Sequence, residues 1–217
     1  ECFRRVKEQG GFIIHNHPGW RRGTMEKSED QVRAYGEKWV DAVEVINGTT
    51  LYPQMIDRCV DEQLTITAST DVHRPSSQVW ARDCGIFRTH TIIFAKECTE
   101  KAIKDALEKR RTIGYSANNL IGEEKWLNEF FNSAIVCTQI YENEKKGHRK
   151  FQFTNTCSIP FLLRRGKSVF VLRPFQSLSL NCGKDKNTGK YQKPKVTVDN
   201  MWTVGDKHPT FEVEVDK

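Results

Sequence analysis

The hydrophobic period of this chain changes once, near residue 134, and that change limits the possible folds more than any other feature. Before it, short apolar runs alternate with segments whose apolar residues recur every three or four positions, the pattern of strands separated by amphipathic helices. Gly11 to Ile14, Ala42 to Ile46, Leu64 to Ala68, Thr89 to Ala95 and Ile113 to Ser116 read as strands. Ser28, with Gln31 three residues on, forms a capping box for a helix whose inner stripe is Val32, Tyr35 and Trp39. A second helix carries Leu51, Met55, Ile56, Cys59 and Val60 on one face. Thr99 caps a third, with Ala102, Ile103, Ala106 and Leu107 at helical spacing. Glu123 to Ile135 reads as a fourth, packing Trp126, Leu127, Phe130 and Phe131 inward. Strand–helix alternation with short connections predicts parallel βα units.

After residue 134 the pattern is that of an all-β module. Phe151 to Thr154, Val169 to Leu172, Leu178 to Leu180, Val196 to Val198 and Phe211 to Val215 are strand-like and separated by Gly and Pro, as in a small sandwich. Two domains are therefore expected, 1–133 and 134–217.

Charge follows the same division. The chain carries 34 Lys+Arg against 28 Asp+Glu; up to Ser133 the counts are 19 and 20, and beyond it 15 and 8. A basic module with Lys184, Lys186, Lys190, Lys193 and Lys195 grouped together is open to anionic partners. Its aromatics (Phe151, Phe153, Phe170, Tyr191, Trp202) mostly lie at strand positions expected to be core, and no nucleic-acid recognition motif is present, so nucleic acid is not the favoured partner. Seven cysteines at irregular spacing, none in a Cys-x-x-Cys pair, argue against a disulfide framework and a thiolate zinc site. They lean toward reduced thiols without fixing a compartment, cytoplasmic or periplasmic. No apolar run approaches the roughly 18 residues that a membrane span requires.

Chemistry concentrates at two strand ends. Gly11 to Ile14 runs into His15-Asn16-His17-Pro18, and Leu64 to Ala68 runs into Ser69-Thr70-Asp71-Val72-His73. Residues two apart on a strand point the same way, so each end offers a pair of side chains at the mouth of the sheet. In parallel βα architectures that mouth holds the active site, and carboxylate with imidazole is a usual donor mix for zinc, manganese or iron. His17, Asp71 and His73 are the candidate ligands.

Taken in order, the His17-Pro18 strand, Val43-Glu44-Val45-Ile46-Asn47-Gly48, Asp71-Val72-His73 and the Thr112 to Gly122 region resemble the closing part of a PHP (polymerase and histidinol phosphatase) metal-dependent phosphoesterase. The later Phe170-Val171-Leu172-Arg173-Pro174 is similar to the C-terminal domain of a phosphodiesterase-like subfamily. The resemblance implies part of a distorted (βα)7 TIM-like barrel followed by a β-sandwich. It also implies two or three divalent ions (Zn, Mn or Fe) that activate water toward a phosphate-ester small molecule. On that pattern His17, Asp71 and His73 are metal ligands, with Asp71 and His73 also catalytic. His15 and Arg74 are assigned to substrate, His15 as a phosphate contact or a support for the adjacent ligand, Arg74 as a phosphate contact or a loop ion-pair residue.

The family's opening His-x-His strand, Asp-His pair, bridging Glu and further His have no counterpart here, and the chain begins at Glu1 without Met. It is therefore expected to be the C-terminal portion of a longer enzyme and to be inactive alone, any signal peptide lying upstream. The alternative reading is a non-catalytic anion-, polysaccharide- or protein-binding module built on the basic β domain. A third is a hydrolase of C–N bonds using similar strand-end ligands.

Overall fold

A computed structural model describes residues 1–20, 24–75, 87–145, 147–185 and 187–215. The chain forms two compact units, Glu1–Trp126 with Thr203–Lys207, and Leu127–Trp202 with His208–Lys217.

The first unit opens with α1 (Cys2–Glu8) and the two-residue β1 (Ile14–His15), followed by α2 (Glu29–Gly36). Then come β2 (Ala42–Asn47), β3 (Thr50–Leu51), α3 (Pro53–Asp61) and β4 (Thr65–Ser69). β5 (His90–Ile93), α4 (Glu100–Glu108), β6 (Thr112–Ser116), β7 (Asn119–Gly122) and the start of α5 (Glu124–Ala134) complete it. β1 and β4 flank β2, both parallel to it, with His15 opposite Val43 and Ala42 opposite Thr65. The core is β2 (Ala42, Val43, Val45 and Ile46) against Met55, Ile56 and Cys59 of α3, with Ile66 and Ala68 of β4. Polar residues cap α2 and α4 as their spacing requires. Ser28 accepts from the Gln31 amide while the Gln31 side chain accepts from Ser28, and Thr99 accepts from Ala102.

Three expectations need correction. Parallel βα pairing does not continue through the unit: β5–β6 and β6–β7 are antiparallel. The cause at β6–β7 is a two-residue turn, Ala117 (φ 46°) and Asn118 (φ 65°), whose backbone joins only antiparallel neighbours. Among the described residues there are five short helices and the sheets do not close into a barrel. The α2 stripe also differs. The helix ends at Gly36, its buried residues are Ala34 and Tyr35, and Val32 is 58% exposed.

The second unit has two antiparallel sheets. One has the order β12 (Ser177–Gly183), β9 (His148–Asn155), β8 (Ile135–Asn143). The other is β11 (Ser168–Leu172), β10 (Phe161–Arg165), β13 (Lys195–Val198), β15 (Thr210–Glu212), with the short β14 (Met201–Trp202) between the last two in sequence. Alternate residues are buried, as a half-solvated sheet requires: Phe151 and Phe153 on β9, Phe161 and Leu163 on β10, Val196 and Val198 on β13. Phe131 of α5 is fully buried, edge-on to Phe161 at 5.2 Å and beside Phe211 at 5.5 Å. The Lys184 to Lys193 stretch is a hairpin closed by a Lys184–Tyr191 bridge. Lys186 and Cys84 lie outside the described residues. The described cysteines are free thiols. No helix among the described residues is long and apolar enough to cross a membrane.

Candidate active site

Parallel pairing brings the C-terminal ends of β1, β2 and β4 to one edge of their sheet. Beyond those ends the chain turns sharply. His17, two residues past β1, has φ 32°, and Asp71, two past β4, has φ 49°. Both are non-glycine residues in left-handed backbone, which costs roughly 1–2 kcal/mol per residue. Gly48, just past β2, supplies the third such turn (φ 60°), where its amide donates to the Ser69 carbonyl at 2.8 Å. Its own carbonyl accepts from the Thr89 hydroxyl and, at 3.2 Å, from Ser116.

The left-handed turn at His17 has an identifiable support. Its amide donates to Oε2 of Glu44 at 2.5 Å, and Asn47 Nδ2 donates to the same oxygen at 3.2 Å. Glu44 is a charged residue 1% exposed in an otherwise apolar strand. The β2–β4 register slips between Glu44 and Ile46, leaving Val45 as a bulge residue, a distortion common beside functional sites. The His17 ring lies 5.1 Å from that of Trp20. Buried Tyr52 stands close to both acids. Its hydroxyl pKa is raised by burial first and then by the Glu44 and Asp71 carboxylates.

His73 lies with Nε2 3.4 Å from Asp71 Oδ1, and its side chain is 86% exposed. Arg74 follows, also exposed. His15 lies elsewhere: Nδ1 is 2.6 Å from the Tyr35 hydroxyl and Nε2 is 3.1 Å from Gln31 Nε2. The capping box sets this geometry. Gln31 Oε1 accepts from the Ser28 amide, so its nitrogen faces His15 and can only donate. His15 Nε2 therefore accepts, and Nδ1–H donates to Tyr35, tying the ring to α2. Burial pushes the Tyr35 hydroxyl pKa up to about 12, against a smaller opposing effect of Arg58.

The site thus places Asp71 with His73 and sets His17 on a supported turn, while His15 is joined to α2. Among the described residues no three His, Cys, Asp or Glu side chains come close enough together to hold a metal ion. Their arrangement does not amount to the two- or three-ion centre that the family resemblance implies. Glu44 and Tyr52 escaped the sequence reading. A single carboxylate inside the apolar run Ala42 to Ile46 was the available signal for Glu44, since a buried acid needs partners. Tyr52 had no such mark.

No family model matches this chain, and no curated protein does. Among solved structures, the chain superposes with a TM-score of 0.88 and 27% sequence identity on a two-domain protein containing a predicted PHP-like metal-dependent phosphoesterase from Bacteroides vulgatus. The match covers 98% of this chain and 64% of the other, so the chain spans just under two thirds of that neighbour's length. In architecture, then, both units of this chain are similar to a two-domain PHP-like protein.

Proposed function

We propose that the protein hydrolyses phosphate esters at the mouth of β1, β2 and β4. The observation behind this reading is the likeness of nearly the whole chain to a protein with a predicted PHP-like metal-dependent phosphoesterase. His17, Asp71 and His73 belong to the reacting end of the sheet on this reading. Divalent metal dependence is expected from the same likeness, with ligands in addition to these three. The chemistry that these side chains offer by themselves is proton handling and charge neutralisation. His73, with Nε2 3.4 Å from Asp71 Oδ1 and its ring open to solvent, is the group on this reading that takes a proton from the attacking water. Exposed Arg74 supplies a guanidinium for phosphate oxygens. The β unit acts as a structural partner domain.

The test is hydrolysis of p-nitrophenyl phosphate and bis(p-nitrophenyl) phosphate by the full-length protein with manganese or zinc supplied. Turnover that His17→Ala and Asp71→Ala each lower by about 100-fold or more, to a residual rate that is still measurable, is expected. Turnover unchanged by both substitutions would refute the assignment.

A further inference from the structure

We propose that Glu44 is a positioning residue that acts through the main chain of His17; this rests on the phosphoesterase reading of the strand mouth. The geometry is specific. Glu44 is almost wholly buried in the central parallel strand, where an ionisable side chain is costly unless its oxygens are paired. Its Oε2 takes the His17 amide at 2.5 Å, a contact 27 residues distant in sequence, and Asn47 braces the same oxygen from the strand's own end. The residue held this way is in left-handed backbone (φ 32°), a conformation that persists only where surrounding structure enforces it. The bulge at Val45 lies directly after Glu44, and such bulges re-aim side chains. A hydrogen bond from the amide of the very residue whose ring is in question fixes the direction of its Cα–Cβ bond, and with it the ring's approach to the sheet edge. Glu44 itself touches no substrate; its effect is on where His17 points.

A double-mutant cycle separates this role from mere support of the core. Glu44→Ala should lower kcat for bis(p-nitrophenyl) phosphate about 10- to 100-fold, the range for groups that orient a site residue, with little change in KM. Glu44→Gln, whose side-chain oxygen still accepts the His17 amide, should restore most of that loss. In the His17→Ala background Glu44→Ala should cost nothing further. Equal losses in both backgrounds, or Glu44→Gln as impaired as Glu44→Ala, would overturn the proposal. If Glu44→Ala does not fold, Glu44→Asp, which withdraws the carboxylate by one methylene, carries the same cycle. The His17 amide proton gives a readout independent of turnover. It should be strongly downfield and slow to exchange in the wild type and in Glu44→Gln, and lose both properties in Glu44→Asp. An ordinary His17 amide shift in the wild type would also overturn the proposal. Should His17→Ala leave turnover intact, the phosphoesterase reading of His17 fails while the amide measurement still decides the Glu44 contact.

Discussion

The two units bury polar side chains for different ends. In the second unit Asn155 and Asn200 are buried and hydrogen-bond to main chain. Asn155 Nδ2 donates to the Ile159 and Arg173 carbonyls at 2.8 and 3.2 Å while its oxygen accepts the Cys157 amide. Asn200 accepts from the Leu162 amide and donates to the Pro160 carbonyl. Both tie loop main chain to neighbouring strands: Cys157, Ile159, Pro160 and Arg173 lie just outside β9, β10 and β11. In the first unit the buried Glu44 instead holds the amide of His17 at a strand mouth, in left-handed backbone, beside the proposed site. Burial alone therefore does not distinguish structural from functional polar groups. What the polar atom holds does.

This contrast is open to breakage. The largest stability effect should come from Phe131→Ala, which removes a fully buried ring packed on Phe161 and Phe211. A loss of about 3–5 kcal/mol is expected in denaturant unfolding. Asn155→Ala should cost about 1–3 kcal/mol by leaving buried main-chain groups unpaired. It should leave kcat per folded molecule unchanged, whereas substitution of Glu44 changes kcat. A fall in kcat with Asn155→Ala would erase the distinction drawn between the units.

Much of the second unit was legible because alternation is a local signal, yet β8 and β10 escaped. β8 begins at Ile135 directly after α5 ends at Ala134, with no Gly or Pro to mark the change. In the first unit the capping box and the Thr99 cap could be read from spacing alone, since a cap closes within three residues. The β6–β7 hairpin was missed because Ala117-Asn118 lacks the usual glycine. Asp71 and His73 were legible as strand-end chemistry. The Glu44–His17 contact was not, because its meaning depends on a register shared by two strands that no short window contains.

Smaller effects follow from burial in the first unit. Burial raises the Tyr35 hydroxyl from its ordinary 10.0 to about 12, and the Cys59 thiol from 9.0 to about 12. The folded state thus binds these protons more tightly than the unfolded chain. Their contribution is complete below the unfolded values and is lost as pH rises through the folded ones. Stability should therefore decline as pH rises from 9.0 toward about 12, and less steeply in Tyr35→Phe. Guanidinium melts across that range would show it. Smallest of all, iodoacetamide should label exposed Cys2 and Cys98 quickly and buried Cys59, Cys137 and Cys182 slowly, as peptide mapping would report.

The most direct test of the account is turnover of bis(p-nitrophenyl) phosphate by full-length Asp71→Asn beside the wild type, with manganese present. Asp71→Asn keeps the size of the side chain while removing its charge. The wild type should hydrolyse the diester and the variant should lose about 100-fold or more, the scale of a removed proton-handling group. Hydrolysis by Asp71→Asn at the wild-type rate would contradict it.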